Sequence, residues 1–386
     1  TKGRGVATVR GMTRGFAADY VVTIDGPTFA PGWIVFEKGR VEAVGGGEPP
    51  TGFDGERLPP RSAVLPGFVD AHAHLALGGL SGVADDRPFL DWINRGILPA
   101  IVERGTQEGF FRDGARADVD RLLRSGCTCV ADVFFRPDGA FALRERGLRG
   151  VFFQEVFGST APDEDVYWGE IEKTLDGLPG ALDGFPFGYS PHTPWTCPPK
   201  TFGRVVGRAR AKNLRTTFHL AESREEHQLF AEARGPLFDA FERQGRLDRY
   251  RLGMTPTAAL EALGALGPTA LAAHGVFLTD DDAARIAATG TSVVHCPSSN
   301  LKLAEGFAPI ADLLSRGVAV ALGTDSAASS ARRDMFEEMR LALLVGRGKS
   351  ESIGPFTAAT ALRMATINGA KALGLEGLAG AFVPGA

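Results

Sequence analysis

The sequence has no strong excess of charge of either sign and no long apolar run. Its 386 residues include 42 Lys and Arg against 46 Asp and Glu, which gives a net charge of −4. This balance provides no electrostatic surface for nucleic acid or for an anionic membrane. Glycine, proline or a charged residue interrupts each apolar stretch before it reaches the roughly 18 residues of a transmembrane helix. We therefore expect neither nucleic acid nor a membrane as a partner.

Cysteine is also scarce, and residues 1–26 contain no continuous apolar core of the kind found in signal peptides. The four cysteines are Cys127, Cys129, Cys197 and Cys296. None of them forms a CxxC pair, and the composition differs from that of a secreted domain held by disulfides. A reducing, cytoplasmic location is the expectation.

Two different residue patterns in the sequence predict two structural parts. Residues 1–62 contain short β segments separated by Gly-Pro and Pro-Pro turns, which predicts a small β-sandwich-like module. Over residues 63–375, eight runs rich in Val, Ala and Phe alternate with amphipathic helical stretches. This pattern predicts an α/β fold, a (β/α)8 TIM barrel, with residues 376–386 returning to the β module. The stretch 81–107 is long for a βα loop, and such loops are usually lids or binding loops.

Histidine is rare, and its positions are informative. Six of the seven histidines lie at the C-terminal ends of predicted strands, where the catalytic groups of a barrel collect. These strand-end residues are His72, His74, His192, His219, His274 and His295, and Asp325 ends the eighth strand. A single histidine at a strand end is usually only a hydrogen-bonded polar residue, but six in order are hard to obtain by chance. The seventh, His227, is interpreted as a surface residue of a helix.

The spacing and the residue types indicate a metal. His72 and His74 are two residues apart on a strand, so both rings face the same side and can reach one ion. Three imidazoles and one carboxylate, with a position left for water, suit a catalytic Zn²⁺ and are compatible with Fe²⁺. The fourth predicted strand contains no lysine that could bridge two ions. One metal ion per chain is therefore predicted.

Six segments resemble, in the right order, the motif series of the amidohydrolase superfamily. They are PGFVDAHAHL, FHLAES, AAHGVF, HCPSSNLKL, GTDSAAS and ATINGAKALGL. They are most similar to the branch that contains S-adenosylhomocysteine/methylthioadenosine deaminases, aminodeoxyfutalosine deaminases, guanine deaminases and triazine hydrolases. The resemblance extends over residues 63–375. The motifs are highly specific for the superfamily and less so for the substrate.

This resemblance implies a hydrolytic deaminase of a 6-aminopurine nucleoside, in which metal-activated hydroxide attacks C6 and ammonia leaves. The metal ligands that it implies are His72, His74, His219 and Asp325. Glu222 matches the acid/base glutamate of the HxxE motif. His274 matches the histidine that orients the attacking water and the tetrahedral intermediate, and Asp325 accepts the proton of that water. Glu222, His274 and Asp325 are thus the expected catalytic residues.

The candidate substrate contacts are less specific. They are His192, Asp85, Asp86, Trp92, His295 and Arg136. His192 matches a residue that contacts the bound nucleoside, and Asp85 or Asp86 matches an acid that holds ribose hydroxyls. The two aspartates could equally cap the following helix. Trp92 is expected in the wall of the site rather than stacked on the base.

The resemblance ranks 6-aminodeoxyfutalosine, a menaquinone precursor, first as substrate by a small margin. S-adenosylhomocysteine, 5′-methylthioadenosine and adenosine follow. 6-Aminodeoxyfutalosine carries a carboxylate, for which Arg136 or Arg87 could supply the cation. The alternatives are a triazine, guanine or chlorohydrolase activity and an inactive barrel that serves as a binding protein. The complete set of ligands argues against the inactive barrel, and a homodimer is compatible with the sequence.

The end of the sequence departs from the family pattern. Relatives usually complete the small β module with strands that follow the barrel, whereas this sequence stops at Ala386. Either those strands lie outside this sequence, or the module is reduced. The departure affects the module and not the expected active site.

Overall fold

The structure is a computed structural model that describes residues 14–158, 160–161, 163–330 and 332–385. Its first part consists of two small sheets. Their strands are β1 (Arg14–Ala18), β2 (Tyr20–Val22), β3 (Thr28–Phe29), β4 (Gly32–Glu37), β5 (Arg40–Gly46), β6 (Glu56–Arg57) and β7 (Ala63–Val64). One sheet has the order β5-β4-β1-β6 and the other β3-β2-β7. They are separate from the main sheet of the molecule.

The end of the chain packs on these small sheets. Phe382 shares a core with Val21, Ile34 and Val41. Its amide donates to the Thr23 carbonyl at 3.0 Å, and the Gly385 amide donates to the Val41 carbonyl at 2.8 Å. The predicted domain boundaries, 1–62, 63–375 and 376–386, stay a prediction.

The second part is a near-closed barrel of eight parallel strands. They are β8 (Phe68–Ala73), β9 (Cys127–Phe134), β10 (Arg149–Val156), β11 (Phe187–Pro191), β12 (Thr216–Leu220), β13 (Ala270–His274), β14 (Ser292–His295) and β15 (Val320–Leu322). They neighbour one another in chain order. All residues of β8, β12 and β13 are buried, because strands of a parallel sheet are covered on both faces. The predicted barrel is confirmed, and each of its eight apolar runs contains one barrel strand.

The barrel closes through a metal-ligand candidate. Ala73 pairs with Asp325 as an isolated parallel bridge between β8 and the segment after β15. The His74 amide donates to the Asp325 carbonyl at 2.9 Å, and the Asp325 amide donates to the His72 carbonyl at 2.9 Å. The first and last strand ends are therefore held together beside their side chains.

Helices surround the strands. They are α1 (Phe89–Trp92), α2 (Leu98–Arg104), α3 (Phe110–Arg124), α4 (Asp138–Glu145), α5 (Glu164–Leu182), α6 (Pro199–Ala211), α7 (Arg224–His227), α8 (Pro236–Arg243), α9 (Pro256–Ala262), α10 (Asp280–Thr289), α11 (Pro297–Lys302), α12 (Ile310–Ser315), α13 (Ala327–Ser330), α14 (Met335–Ser350), α15 (Ala358–Met364) and α16 (Ile367–Leu373). Leu75–Leu80 and Leu247–Arg249 are 3₁₀ helices, and Ile93–Ile97 and Gln228–Glu232 are π-helical turns. No described helix is both long and apolar enough to cross a membrane.

The long stretch after β8 is helical. We call residues 89–104 the lid segment. It consists of α1, the π-helical turn 93–97 and α2, one after another. Phe89, Trp92 and Ile97 are buried against the main core. The apolar side of the segment thus faces the barrel.

Candidate metal centre and active site

Three histidines and one aspartate converge at the C-terminal ends of the strands. His74 Nε2 lies 3.2 Å from His219 Nε2 and 3.4 Å from Asp325 Oδ1. His72 Nε2 lies 3.8 Å from the same oxygen. Ligand atoms at about 2.0–2.2 Å from a tetrahedral Zn²⁺ would be separated by roughly 3.3 Å. The spacing therefore fits one ion among the four side chains.

Hydrogen bonds orient these ligands. His74 Nδ1–H donates to the Val133 carbonyl at 2.7 Å, and His219 Nδ1–H donates to the His192 carbonyl at 3.0 Å. Each bond leaves the Nε2 lone pair directed into the cluster. Both ring nitrogens of His72 are buried and have no partner within the described chain. A buried imidazole of this kind needs a ligand, and a divalent metal ion provides one.

The electrostatics favour the ligand forms of these residues. Burial lowers the pKa of His72, His74 and His219, so the rings are neutral. Burial alone would raise the pKa of Asp325, but the neighbouring histidines, when one of them carries a proton, and the hydrogen bond from Ser299 hold that pKa below its usual range. Neutral imidazoles and an ionised carboxylate are the species that bind a metal.

Two serines support the aspartate. Ser299 Oγ and Ser329 Oγ donate to Asp325 Oδ2 at 2.6 and 2.8 Å. The other carboxylate oxygen, Oδ1, is the one that faces His72 and His74. The carboxylate is thus fixed with one oxygen available to an ion.

A carboxyl group and an imidazole lie beside this cluster. Glu222 Oε1 is 3.6 Å from His274 Nε2. His274 Nδ1–H donates to Asn300 Oδ1 at 2.9 Å. Its Nε2 has no hydrogen-bond partner within the described chain and is available to bond to a group in the site. Burial, with a smaller contribution from Asp325, raises the pKa of Glu222 well above its usual value. Glu222 is therefore suited to hold a proton and to deliver it.

Three residues at or just after the ends of barrel strands have a left-handed backbone, although none of them is glycine. Ala221, His274 and Asp325 have φ angles of +49°, +72° and +58°. Such conformations cost free energy and are typical of functional sites. They turn the chain sharply at the strand ends, where Glu222 and the two polar side chains enter the site.

The cluster lies at one end of a cavity of about 410 Å³. Its polar wall residues are His74, Glu155, His192, Thr193, His219, Glu222, Asp325 and Ser326. Its apolar wall residues are Leu77, Phe89, Trp92, Ile93, Ile97, Leu98, Ile101, Phe134, Phe135, Phe157 and Trp195. Six of these eleven apolar residues belong to the lid segment. No Lys or Arg is among the described residues of the wall.

Two predicted substrate contacts reach this cavity. His192 and Trp92 both line it. His192 Nδ1 is 2.6 Å from Thr196 Oγ1, and its Nε2 is 3.7 Å from Glu155 Oε1. Trp92 is buried among apolar residues in the wall of the cavity.

The two predicted ribose acids lie elsewhere. Asp85 forms an ion pair with Lys302 at 2.6 Å, and Asp86 is exposed on a turn with φ of +62°. Neither caps α1, whose N-cap is Pro88 without a side-chain hydrogen bond. The aspartates are therefore outside the described cavity wall and outside the capping role.

The remaining two candidates are also outside the wall. His295 is buried with its ring 4.6 Å from the Phe307 ring. Arg136 pairs with Asp138 at 2.9 Å and lies 5.1 Å above the Phe111 ring. The Arg136 guanidinium is therefore paired with a neighbouring carboxylate outside the cavity wall.

Glu155 is a cavity residue that the sequence analysis missed. It is 6% exposed, and it lies near the end of β10. Burial raises its pKa to about 8, and Asp132 and Asp325 add to the effect. The available signal was a single acid inside the otherwise apolar run GVFFQEVF.

Comparisons with known proteins agree with this geometry. A model of the Amidohydrolase family matches residues 63–386. The chain is 35% identical over 364 residues to a 5-methylthioadenosine/S-adenosylhomocysteine deaminase of Moorella thermoacetica, covering 92% of this chain and 79% of the relative. It is 34% identical over 319 residues to the enzyme of that name from Haloarcula marismortui, with coverage of 81% and 69%.

A solved structure is similar as well. The adenosine deaminase of Xanthomonas campestris with bound zinc superimposes with a TM-score of 0.80 at 30% identity. The alignment covers 96% of this chain and 82% of that one. With the cluster of histidines and Asp325, this likeness supports a divalent metal ion.

Proposed function

From the premise that the chain belongs to the Amidohydrolase family, we propose that it is a zinc-dependent hydrolytic deaminase of a 6-aminopurine nucleoside. One observation carries the proposal. Glu222 and His274 lie 3.6 Å apart next to a four-ligand cluster, at the end of one cavity. The names of the similar deaminases support the same reaction class.

The residues that would hold the metal are His72, His74, His219 and Asp325. A zinc ion there would lower the pKa of a water molecule towards 7, which makes a nucleophile at neutral pH. Two unpartnered buried nitrogens of His72 and the neutral form of all three rings support this assignment. The identity of the ion as Zn²⁺ rests on the donor set and on the zinc-bearing neighbour.

The protein's own groups move the protons. Asp325 accepts a proton from the attacking water, and His274 Nε2 orients that water and then the oxygen formed at C6. Glu222 gives its proton to N1 of the purine, which prevents charge from building on the ring. It then takes up the proton of the hydroxyl formed at C6 and delivers it to the leaving amine, and the proton that Asp325 accepted is released and restores Glu222. Water is consumed, the C6–N bond breaks, and ammonia is released.

The apolar wall bears on the choice of nucleoside. The resemblance ranked 6-aminodeoxyfutalosine first, and its carboxylate needs a cation at the mouth of the site. However, Arg136 is paired with Asp138, and neither it nor Arg87 lines the cavity. The eleven apolar wall residues support a substrate with an uncharged 5′ side. We therefore rank 5′-methylthioadenosine and adenosine above the two carboxylate-bearing candidates.

Ammonia release from these four nucleosides tests the proposal. The metal-loaded protein should deaminate at least one, with the highest kcat/KM for an uncharged one. A preference for 6-aminodeoxyfutalosine would contradict our ranking and would support the place in menaquinone biosynthesis. Absence of deamination with all four would reject the nucleoside proposal, and guanine and chlorotriazines would then be the next substrates to assay. Sedimentation of the same sample tests the predicted homodimer.

A further inference from the structure

We propose that Glu226 is a positioning residue, which holds the backbone at Glu222 so that the Glu222 side chain points at the reacting atoms. This inference rests on the proposed function. Glu226 lies on the four-residue helix α7 and is 1% exposed. Its Oε1 accepts from the Ala221 amide at 3.0 Å, and its Oε2 accepts from the Glu222 amide at 3.1 Å. Both oxygens of one buried carboxyl group are thus bound to the turn that carries Glu222.

This arrangement differs from an ordinary helix cap. Ser223 is the N-cap of α7, and its Oγ accepts from the Glu226 amide at 3.2 Å. In a capping box, a glutamate at this position accepts from the amide of the N-cap residue itself. Here the carboxyl group extends past the cap to the two amides before it. Its contacts therefore stabilise the turn at the end of β12.

The turn needs such support. Ala221 has a φ angle of +49°, and this left-handed conformation costs free energy in a residue that has a Cβ. The turn leads out of β12 and brings Glu222 Oε1 to 3.6 Å from His274 Nε2. The Ala221 carbonyl accepts from the Phe277 amide at 2.8 Å, which ties the turn to the segment after β13. Glu226 holds the amide side of the same turn.

The burial of Glu226 makes these two hydrogen bonds important. A carboxyl group in the interior costs free energy unless its oxygens are bonded, and the two amides are its described donors. Loss of either acceptor oxygen leaves a buried N–H without a partner, which favours a displaced turn. A displacement of about 1 Å can lower a rate about 10²-fold. Because Glu226 is not among the described wall residues, it acts on the reaction through Glu222.

The test uses two substitutions at Glu226 in the metal-loaded protein, with ammonia release from the best nucleoside as the assay. Glu226→Gln keeps one acceptor oxygen and replaces the other by a donor, and it should lower kcat about tenfold. Glu226→Leu removes both acceptors and should lower kcat about 100-fold. KM should change by less than about threefold, and the zinc content should equal that of wild type.

A double-mutant cycle separates positioning from general damage to the fold. In the Glu222→Gln background, Glu226→Gln should lower kcat by less than about twofold, because the side chain that it positions no longer carries protons. General damage would multiply with the loss from Glu222→Gln. Glu225→Gln is the matched control on α7, where Glu225 is half-buried, and it should leave kcat, KM and zinc content unchanged.

Thermal unfolding checks that each variant is folded. If Glu226→Leu does not fold, the isosteric Glu226→Gln and the cycle decide the question.

Three results would overturn the inference. An unchanged kcat in folded Glu226→Gln would show that the two hydrogen bonds do not position Glu222. An equal loss of kcat in the wild-type and Glu222→Gln backgrounds would show that Glu226 acts independently of Glu222. A lower zinc content in Glu226→Gln would show that it acts through the metal ligands. If wild-type protein releases no ammonia from any nucleoside, the proposed function itself fails, whereas an additive cycle in an active enzyme rejects this inference alone.

Discussion

Glu222 is a carboxyl group held next to an imidazole, 8% exposed and without a cationic partner among the described residues. We expect Glu222→Gln to lower kcat by at least about 10²-fold, because an amide cannot exchange protons with N1 or with the leaving amine. The change preserves size and leaves the four ligand candidates untouched. Steady-state ammonia release measures the loss.

Metal analysis of the same Glu222→Gln sample provides the control. Its zinc content should equal that of wild type, since Glu222 is not among the proposed ligands. Full activity with normal metal content would remove Glu222 from the mechanism. Loss of both zinc and activity would instead assign it to the metal site.

Glu338 gives a prediction about stability and pH. It is buried and hydrogen-bonded to Ser298, and burial raises its pKa from 4.5 to about 8. The folded protein therefore keeps a proton that the unfolded chain releases. This contribution to stability is fully present below pH 4.5 and is lost as the pH rises through 8.

We expect Glu338→Gln to remove this dependence, because glutamine stays neutral and can still bond to Ser298. At pH 9 the variant should be more stable than wild type, by on the order of 1–3 kcal/mol. Urea unfolding at pH 5, 7 and 9 measures the difference. Parallel stability profiles for the two proteins would contradict the assignment.

Individual residues were predictable where the fold forces them together. The ligand candidates stand at strand ends that converge in any barrel, so their proximity followed from their positions. Asp85 was predicted as a ribose contact, and in the structure it pairs with Lys302, a residue that is distant in the sequence. Glu155 was missed because one acid in an apolar strand does not reveal whether it faces the barrel interior or a helix.

Among the elements, the lid segment offers the most direct control of specificity. Leu98, at the start of α2, lines the cavity and is 49% exposed. We expect Leu98→Arg to raise kcat/KM for 6-aminodeoxyfutalosine relative to adenosine by about tenfold. The added guanidinium can meet the carboxylate at the rim, and it stays partly in water.

Val102 provides the matched control for this prediction. It lies one turn further along α2, is 73% exposed and is not among the cavity residues. Val102→Arg should leave the substrate ratio unchanged. An equal response of the two variants would mean that long-range charge, and not a contact in the cavity, is responsible.

The elements differ in how well the sequence predicts them. The barrel strands are short continuous apolar runs bounded by turns, because both faces of each strand are covered. Helix α10 is marked by a Thr279 capping box and acids in its first turn. The lid segment has no capping box, although Asp91 lies in the first turn of α1. Its α1 has only four residues and no side-chain cap, and it is held by packing against the core.

At the scale of the whole molecule, the metal site joins distant parts of the barrel. Its candidate ligands come from β8, from β12 and from the residue that bridges back to β8 after β15. Zinc should therefore stabilise the entire domain, by about 4 kcal/mol at a free concentration a thousandfold above Kd. Chelation should lower Tm, and added zinc should restore it.

The variant His72→Ala tests whether this stabilisation arises at the proposed site. Its Tm should be nearly insensitive to chelator and to zinc. A response as large as that of wild type would place the stabilising ion elsewhere. Calorimetry of both proteins under the same conditions makes the comparison.

The hydrogen bonds that fasten the ends of the barrel have a consequence for the order of assembly. Asp70 accepts a bond from the Thr324 amide at 3.0 Å, across a separation of 254 residues. During synthesis, His72 and His74 emerge from the ribosome early with β8, and Asp325 emerges only after seven further barrel strands have been made. A nascent chain thus carries an incomplete ligand set for most of its synthesis. We expect an ion to be captured tightly only once the barrel is finished.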